Sequence, residues 1–84
     1  MTSDPSPTPH PILYTAPTCP ESPRVRTWLL EHDITFTERN VSTNIEHAQA
    51  LYATGIFATP LLVVGDQHVL GYRPDQLARL LGTT

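Results

Sequence analysis

Lysine is absent from this sequence of 84 residues, and cysteine occurs once, at Cys19. A single cysteine excludes an internal disulfide, the usual reinforcement of a chain this short. The fold must therefore rest on its apolar core, in a size range where folding buries only about 60 % of the chain's surface. With no lysine, the five positive side chains are all arginines (Arg24, Arg26, Arg39, Arg73, Arg79), scattered along a chain of net charge −3. That spread argues against nucleic-acid binding, which needs a basic patch. Long apolar runs are missing too. The longest mainly apolar stretch, Ile56 to Val64, is interrupted by Thr59 and Pro60 and falls far short of the roughly 20 residues of a membrane span. No basic start leads into an apolar segment as in a signal peptide, so a cytoplasmic location is expected. No internal repeat is visible.

Proline is plentiful. Four of the nine (Pro5, Pro7, Pro9, Pro11) alternate with polar residues near the start, which favours an extended, polyproline-like backbone. Residues 1–10 read as a flexible tail and 11–84 as one domain. The four histidines (His10, His32, His47, His68) and Cys19 have no metal-ligand spacing, so no metal site is expected. His68 is expected to face solvent.

Ile12-Leu13-Tyr14-Thr15 is a short β-prone run closed by Ala16-Pro17. Val25, Trp28, Leu29 and His32 then recur at helical spacing, predicting a helix from about Pro20 or Pro23 to Glu31. Ile34 to Asn40 alternates, with Ile34, Phe36 and Glu38 on one side, and predicts a second strand. Thr43 followed by Glu46 has the capping-box form. The helix after it is expected to bury Ile45, Ala48, Leu51 and Tyr52 and to end at Gly55 in a left-handed conformation. Leu61 to Val64 is a continuous apolar run, as in a strand covered on both faces. Gly65-Asp66-Gln67 turns the chain, and His68-Val69-Leu70 returns as its hairpin partner. Pro74 opens a last helix whose stripe is Leu77, Leu80 and Leu81, before Gly82. The order is β-α-β-α-β-β-α: an α/β chain with a parallel first pair, an antiparallel hairpin, and one mixed four-stranded sheet flanked by three helices.

Cys19 follows the first strand by four residues and stands near the start of the first helix. Unpaired amides and the helix dipole at such a position stabilise an anion, and a thiol placed there can become a thiolate at neutral pH, the species that attacks disulfides. A lone cysteine is as readily a small buried hydrophobe. Pro17, Pro20 and Pro23 favour a rigid surface turn instead. The strength of the effect depends on whether the helix begins before or after Pro23, because Ser22 as cap with Pro23 first would leave Cys19 a turn outside it.

Tyr14-Thr15-Ala16-Pro17-Thr18-Cys19-Pro20 resembles the strand-to-active-site segment of the glutaredoxin family, which has the thioredoxin-like fold. Thr59-Pro60 resembles the family's cis-proline, and Gly71-Tyr72-Arg73-Pro74-Asp75 resembles the Gly-Phe-Arg-Pro-Asp stretch of the glutaredoxin-like redoxins that serve ribonucleotide reductase. The likeness spans about residues 11 to 82. It implies a thiol–disulfide oxidoreductase with Cys19 as nucleophile, supported by Pro20, Ser22 and Tyr14, and a substrate groove shaped by Thr59, Pro60, Gly71, Tyr72 and Asp75. Tyr14 and Tyr72 are read equally as groove walls or as packing. The implied partners are protein disulfides or glutathione mixed disulfides, with ribonucleotide reductase or thioredoxin reductase as candidates. A monomer is expected, with no tightly bound cofactor and glutathione as a candidate co-substrate.

The motif departs from the family at its end, where Ser22 replaces the second cysteine. A hydroxyl cannot resolve a mixed disulfide, so turnover requires an external thiol. Glu21, two residues from Cys19, is expected to oppose the thiolate, with Arg24 and Arg26 favouring it if they fold back. The glycine pair and preceding basic residue usual in glutathione users are missing, Leu70 and Ala16 standing near those places. Iron–sulfur carriers of the family typically read Cys-Gly-Phe-Ser, against which Pro20-Glu21 is bulkier and acidic. A different class of function, a binding or adaptor module that captures a thiol or peptide without turnover, fits the loss of the second cysteine.

Overall fold

The computed structural model describes residues 10–82; the expected tail falls outside these residues except for His10. The first apolar run forms β1 (Ile12–Thr15), and α1 (Ser22–Glu31) carries the chain over to β2 (Thr37–Asn40), which lies parallel to β1 with Ile12 opposite Thr37. Next come α2 (Ile45–Ala53), the hairpin of β3 (Leu61–Val64) and β4 (Gln67–Leu70), and α3 (Pro74–Leu81). The sheet order is β2-β1-β3-β4, with β3 antiparallel to both β1 and β4. The expected thioredoxin-like topology is thus present. No helix of the described residues is long and apolar enough to cross a membrane.

Side-chain alternation divides the sheet into two faces. Leu13, Leu62, Val64 and Val69 meet Val25, Trp28 and Leu29 of α1 and Leu77 of α3 on one face. Tyr14 and Leu61 meet Leu51 of α2 on the other. Leu13, Leu29, Leu61, Leu62 and Leu77 are fully buried, each contributing about 1.5–3 kcal/mol by leaving water. The two central strands are covered on both sides, as the apolar run at Leu61 required.

Several local expectations shift. The β2 ladder begins at Thr37, later than Ile34; Ile34 and Phe36 still pack on the first cluster, so burial runs ahead of strand pairing. Residue Asp33, at φ 57°, reverses the chain after α1, and the Ile34 amide returns to the Leu29 carbonyl. The cap of α2 is Asn44, whose side chain accepts the Glu46 amide at 2.8 Å, and not Thr43. That hydroxyl is turned back to the Asn40 carbonyl, because Asn40 itself folds an Asx turn onto Ser42. The α2 stripe is also narrower than expected. Ala48 and Leu51 are buried, whereas Ile45 in the first turn and Tyr52 in the last are exposed, Tyr52 meeting Phe57 edge-on with ring centroids 5.2 Å apart. Trp28 is core, with the His32 ring stacked on it, and His68 is exposed on β4.

Candidate active site

Three segments converge around Cys19: the turn before α1, the loop entering β3, and the turn between β4 and α3. Helix α1 begins at Ser22 with Glu21 as its cap residue, Pro23 falling at the second helical position. The start thus falls between the two expected positions, one residue before Pro23, and the expected arrangement with Ser22 as cap and Pro23 first is corrected. Ser22 is not the cap; its side chain is buried and its Oγ accepts the Ala16 amide at 3.4 Å. The reason is local. A serine one residue inside the helix can satisfy the turn that leads out of β1, and Cys19 then stands just ahead of the cap, its amide bonded to the Ala16 carbonyl and its carbonyl to the Ser22 amide.

The Cys19 side chain is partly exposed, and its Sγ donates to the Thr59 carbonyl oxygen at 3.2 Å. Burial works to raise its pKa. Hydrogen bonds from the Ser22 hydroxyl, the Glu21 amide, the Thr59 hydroxyl and the Ser22 amide outweigh that, and the thiol titrates below its ordinary value. Specific donors carry the activation.

The Thr59–Pro60 peptide bond is cis. Pro60 is buried, and its carbonyl accepts the Gly71 amide at 2.8 Å, tying the loop before β3 to the turn after β4. The next amide, Tyr72, donates to Oε1 of Glu21 at 2.9 Å. Gly71 has φ 83°, and a Cβ on it would lie 3.0 Å from the same oxygen. The backbone conformation favours glycine there, and a larger residue would also have to push the Glu21 carboxylate aside by a few tenths of an ångström. An open cleft of about 720 Å³ lies between these groups, lined by Glu21, Thr59, Gly71, Tyr72, Arg73 and Gln76 among others.

Of the residues the sequence singled out, Cys19, Ser22, Thr59, Pro60, Gly71 and Tyr72 are brought together, with Pro20 exposed on the same turn. Tyr14 and Asp75 are not. Tyr14 is buried on the opposite face of the sheet with Leu51 and Leu61, its hydroxyl accepting from Arg39 at 3.2 Å. Asp75 is exposed in the first turn of α3. Arg26 folds onto Glu38 and not toward the thiol. The site residue that sequence reasoning misplaced is Glu21. Its carboxylate, expected only as an opposing charge, is a bond across the cleft to a residue 51 positions away, and no local spacing signals a partner so distant.

A family model described as glutaredoxin matches residues 12–69 of the chain. The chain belongs to the glutaredoxin family. It is 32% identical over 68 residues to the glutaredoxin-like protein NrdH of Lactococcus lactis subsp. cremoris, covering 81% of this chain and 94% of that protein. Among solved structures, the glutaredoxin-like NrdH-redoxin of Escherichia coli superposes with a TM-score of 0.74 at 30% identity, covering 84% of this chain and 93% of that one. The glutaredoxin of Archaeoglobus fulgidus gives a TM-score of 0.76 at 25% identity, over 87% and 86%. Family membership and a cysteine at this position are consistent with oxidoreductase chemistry.

Proposed function

We propose that this chain is a thiol–disulfide oxidoreductase that works through Cys19 alone, with an external thiol completing each cycle. The observation that carries this reading is the setting of Cys19: a thiol lowered in pKa by four hydrogen bonds, beside an open cleft, in a chain with no second cysteine. The Cys19 thiolate attacks one sulfur of a protein disulfide or glutathione mixed disulfide. A Cys19–substrate disulfide forms, the original S–S bond breaks, and the other sulfur leaves as a thiolate that takes a proton from water. A second thiolate, from outside the chain, then attacks the substrate sulfur of that mixed disulfide and frees Cys19. Thr59, Pro60, Gly71 and Tyr72 shape the groove in which the substrate lies, and Pro20 and Ser22 fix the turn that presents the thiol.

The resemblance of Gly71 to Asp75 to the redoxins that serve ribonucleotide reductase, together with the similarity to NrdH proteins, supports that enzyme or thioredoxin reductase as partner and a cytoplasmic setting. Glutathione is a candidate for the external thiol. The test is mass spectrometry after incubation with oxidised glutathione and, separately, with bis(2-hydroxyethyl) disulfide. Addition of one half-disulfide to Cys19 and its removal by a free thiol is the expected result. No adduct from either reagent overturns the proposal. An adduct that no thiol removes points instead to a module that captures a partner without turnover.

A further inference from the structure

We propose that Glu21 is a specificity-determining residue of the cleft, selecting against small thiols and disulfides that carry carboxylates. This rests on the single-cysteine exchange reading above and ranks an uncharged small thiol or a protein cysteine ahead of glutathione as its external thiol. Three observations meet at this residue. Its Oε1 accepts the Tyr72 amide at 2.9 Å, so a backbone donor of the cleft that would suit an incoming carboxylate is already taken by one of the chain's own. The carboxylate lies against Gly71, where even a methyl group would be tight, and it lines the same cleft as Thr59, whose carbonyl touches the Cys19 sulfur. It is also exposed, at the open side of the cleft from which a reagent enters. Arg73, the arginine of the cleft, is turned through Nε to the Leu70 carbonyl at 3.3 Å and makes no ion pair with Glu21.

A carboxylate that reaches for the Tyr72 amide must therefore either displace Glu21 from it or sit beside Glu21, and both are unfavourable. An uncharged reagent meets neither obstacle. The exchange step is unchanged in either case: Cys19 gains an S–S bond, the reagent's own S–S bond breaks, and its other half leaves as a thiolate.

The experiment measures second-order rate constants for reduced protein with oxidised glutathione and with bis(2-hydroxyethyl) disulfide, in the wild type, Glu21→Gln and Glu21→Asp. The ratio of the two constants within one protein cancels any change in thiolate fraction or nucleophilicity, so it reports the approach of charge alone. Glu21→Gln is expected to raise the glutathione-to-neutral ratio about fivefold, the size of one unit charge a few ångströms from another in a well-hydrated setting. Glu21→Asp keeps the charge and withdraws it from Tyr72, so its ratio should stay within about twofold of wild type. In the wild type, about 1 M salt should raise the ratio toward that of Glu21→Gln. The salt arm holds even if a variant fails to fold. A ratio that does not move in Glu21→Gln, or is independent of salt, overturns the assignment while leaving the exchange reading intact. Failure of the wild type to react with either reagent overturns both.

Discussion

The Cys19 thiol donates to the carbonyl oxygen of Thr59, 40 residues further along the chain, at 3.2 Å. As a thiol, the sulfur occupies that carbonyl; as a thiolate or a disulfide it has no proton to give. Deprotonation of Cys19, which precedes attack, therefore releases a backbone acceptor beside the place the substrate sulfur takes. The amides of Glu21 and Ser22 and the hydroxyls of Ser22 and Thr59 act in the other direction and hold the deprotonated form.

Ser22 carries part of that activation. The rate of iodoacetamide alkylation of Cys19 should rise with pH to a midpoint below that of a free-cysteine peptide run alongside. Ser22→Ala should move the midpoint up and lower the rate at neutral pH several-fold. Coinciding midpoints for protein and peptide would show that the donors do not act on the sulfur.

Replacing Ser22 by cysteine should restore an internal resolving step, because the Ser22 side chain already hydrogen-bonds to the Cys19 sulfur. With Ser22→Cys, a half-disulfide placed on Cys19 should leave without added thiol, and the protein should become lighter by two hydrogens. Persistence of the mixed disulfide in mass spectra of this variant would count against the geometry.

Two glycines separate backbone strain from the close approach of Glu21. Gly55 has φ 86° and nothing within 4 Å of a would-be Cβ, so Gly55→Ala should cost about 1–2 kcal/mol of left-handed strain. Gly71→Ala carries the same strain and meets Oε1 of Glu21 besides. Its cost should exceed that of Gly55→Ala in the wild type and fall to match it when Glu21 is also alanine. Urea unfolding of wild type, Gly71→Ala, Glu21→Ala and the double variant as a double-mutant cycle, with Gly55→Ala alongside, checks this.

Glu38 binds α1 to the sheet. Its carboxylate accepts Nε and Nη2 of Arg26 at 2.7 and 2.6 Å and the Thr15 hydroxyl at 2.9 Å. The Arg26 hydrogen bonds are the main cause holding its pKa below the usual carboxylate range, against a smaller opposing effect of burial. The Arg26 side chain is 39% exposed, so solvent screening keeps the pair's worth to about 0.5–1 kcal/mol. A folded pKa below the unfolded one means the contribution is complete above the unfolded value of about 4.3 and fades as pH falls through the folded value. Glu38→Gln should be less stable than wild type near neutral pH, and the gap should shrink as pH drops below about 4. A gap constant with pH would rule the linkage out.

Elements whose signal is apolar periodicity or a turn residue were legible in the sequence: the doubly buried run at Leu61, the hairpin after Val64, Pro74 opening α3, and Gly82 in the left-handed conformation closing it. What failed was decided by one-residue choices among polar groups. Thr43 and Asn44 both suit a cap, and the Asx turn at Asn40 chose between them. Ile45 and Tyr52 are apolar enough for a core, but the sheet reaches only the middle of a nine-residue helix. The surroundings of Cys19 were half legible. Its local donors follow from position, whereas Glu21 meeting Tyr72 depends on how the hairpin docks, which no local pattern encodes.

Because β3 lies between β1 and β4 in the sheet, the cleft is completed by a part of the chain made long after Cys19. On a ribosome the sulfur emerges with the Glu21 and Ser22 amides close behind it, and Thr59 and Tyr72 follow only later. Bulky alkylating reagents should therefore tag the nascent cysteine freely until the hairpin docks, and more slowly afterwards. The same thiol that exchanges disulfides in the finished protein thus marks, during synthesis, the point at which the sheet closes.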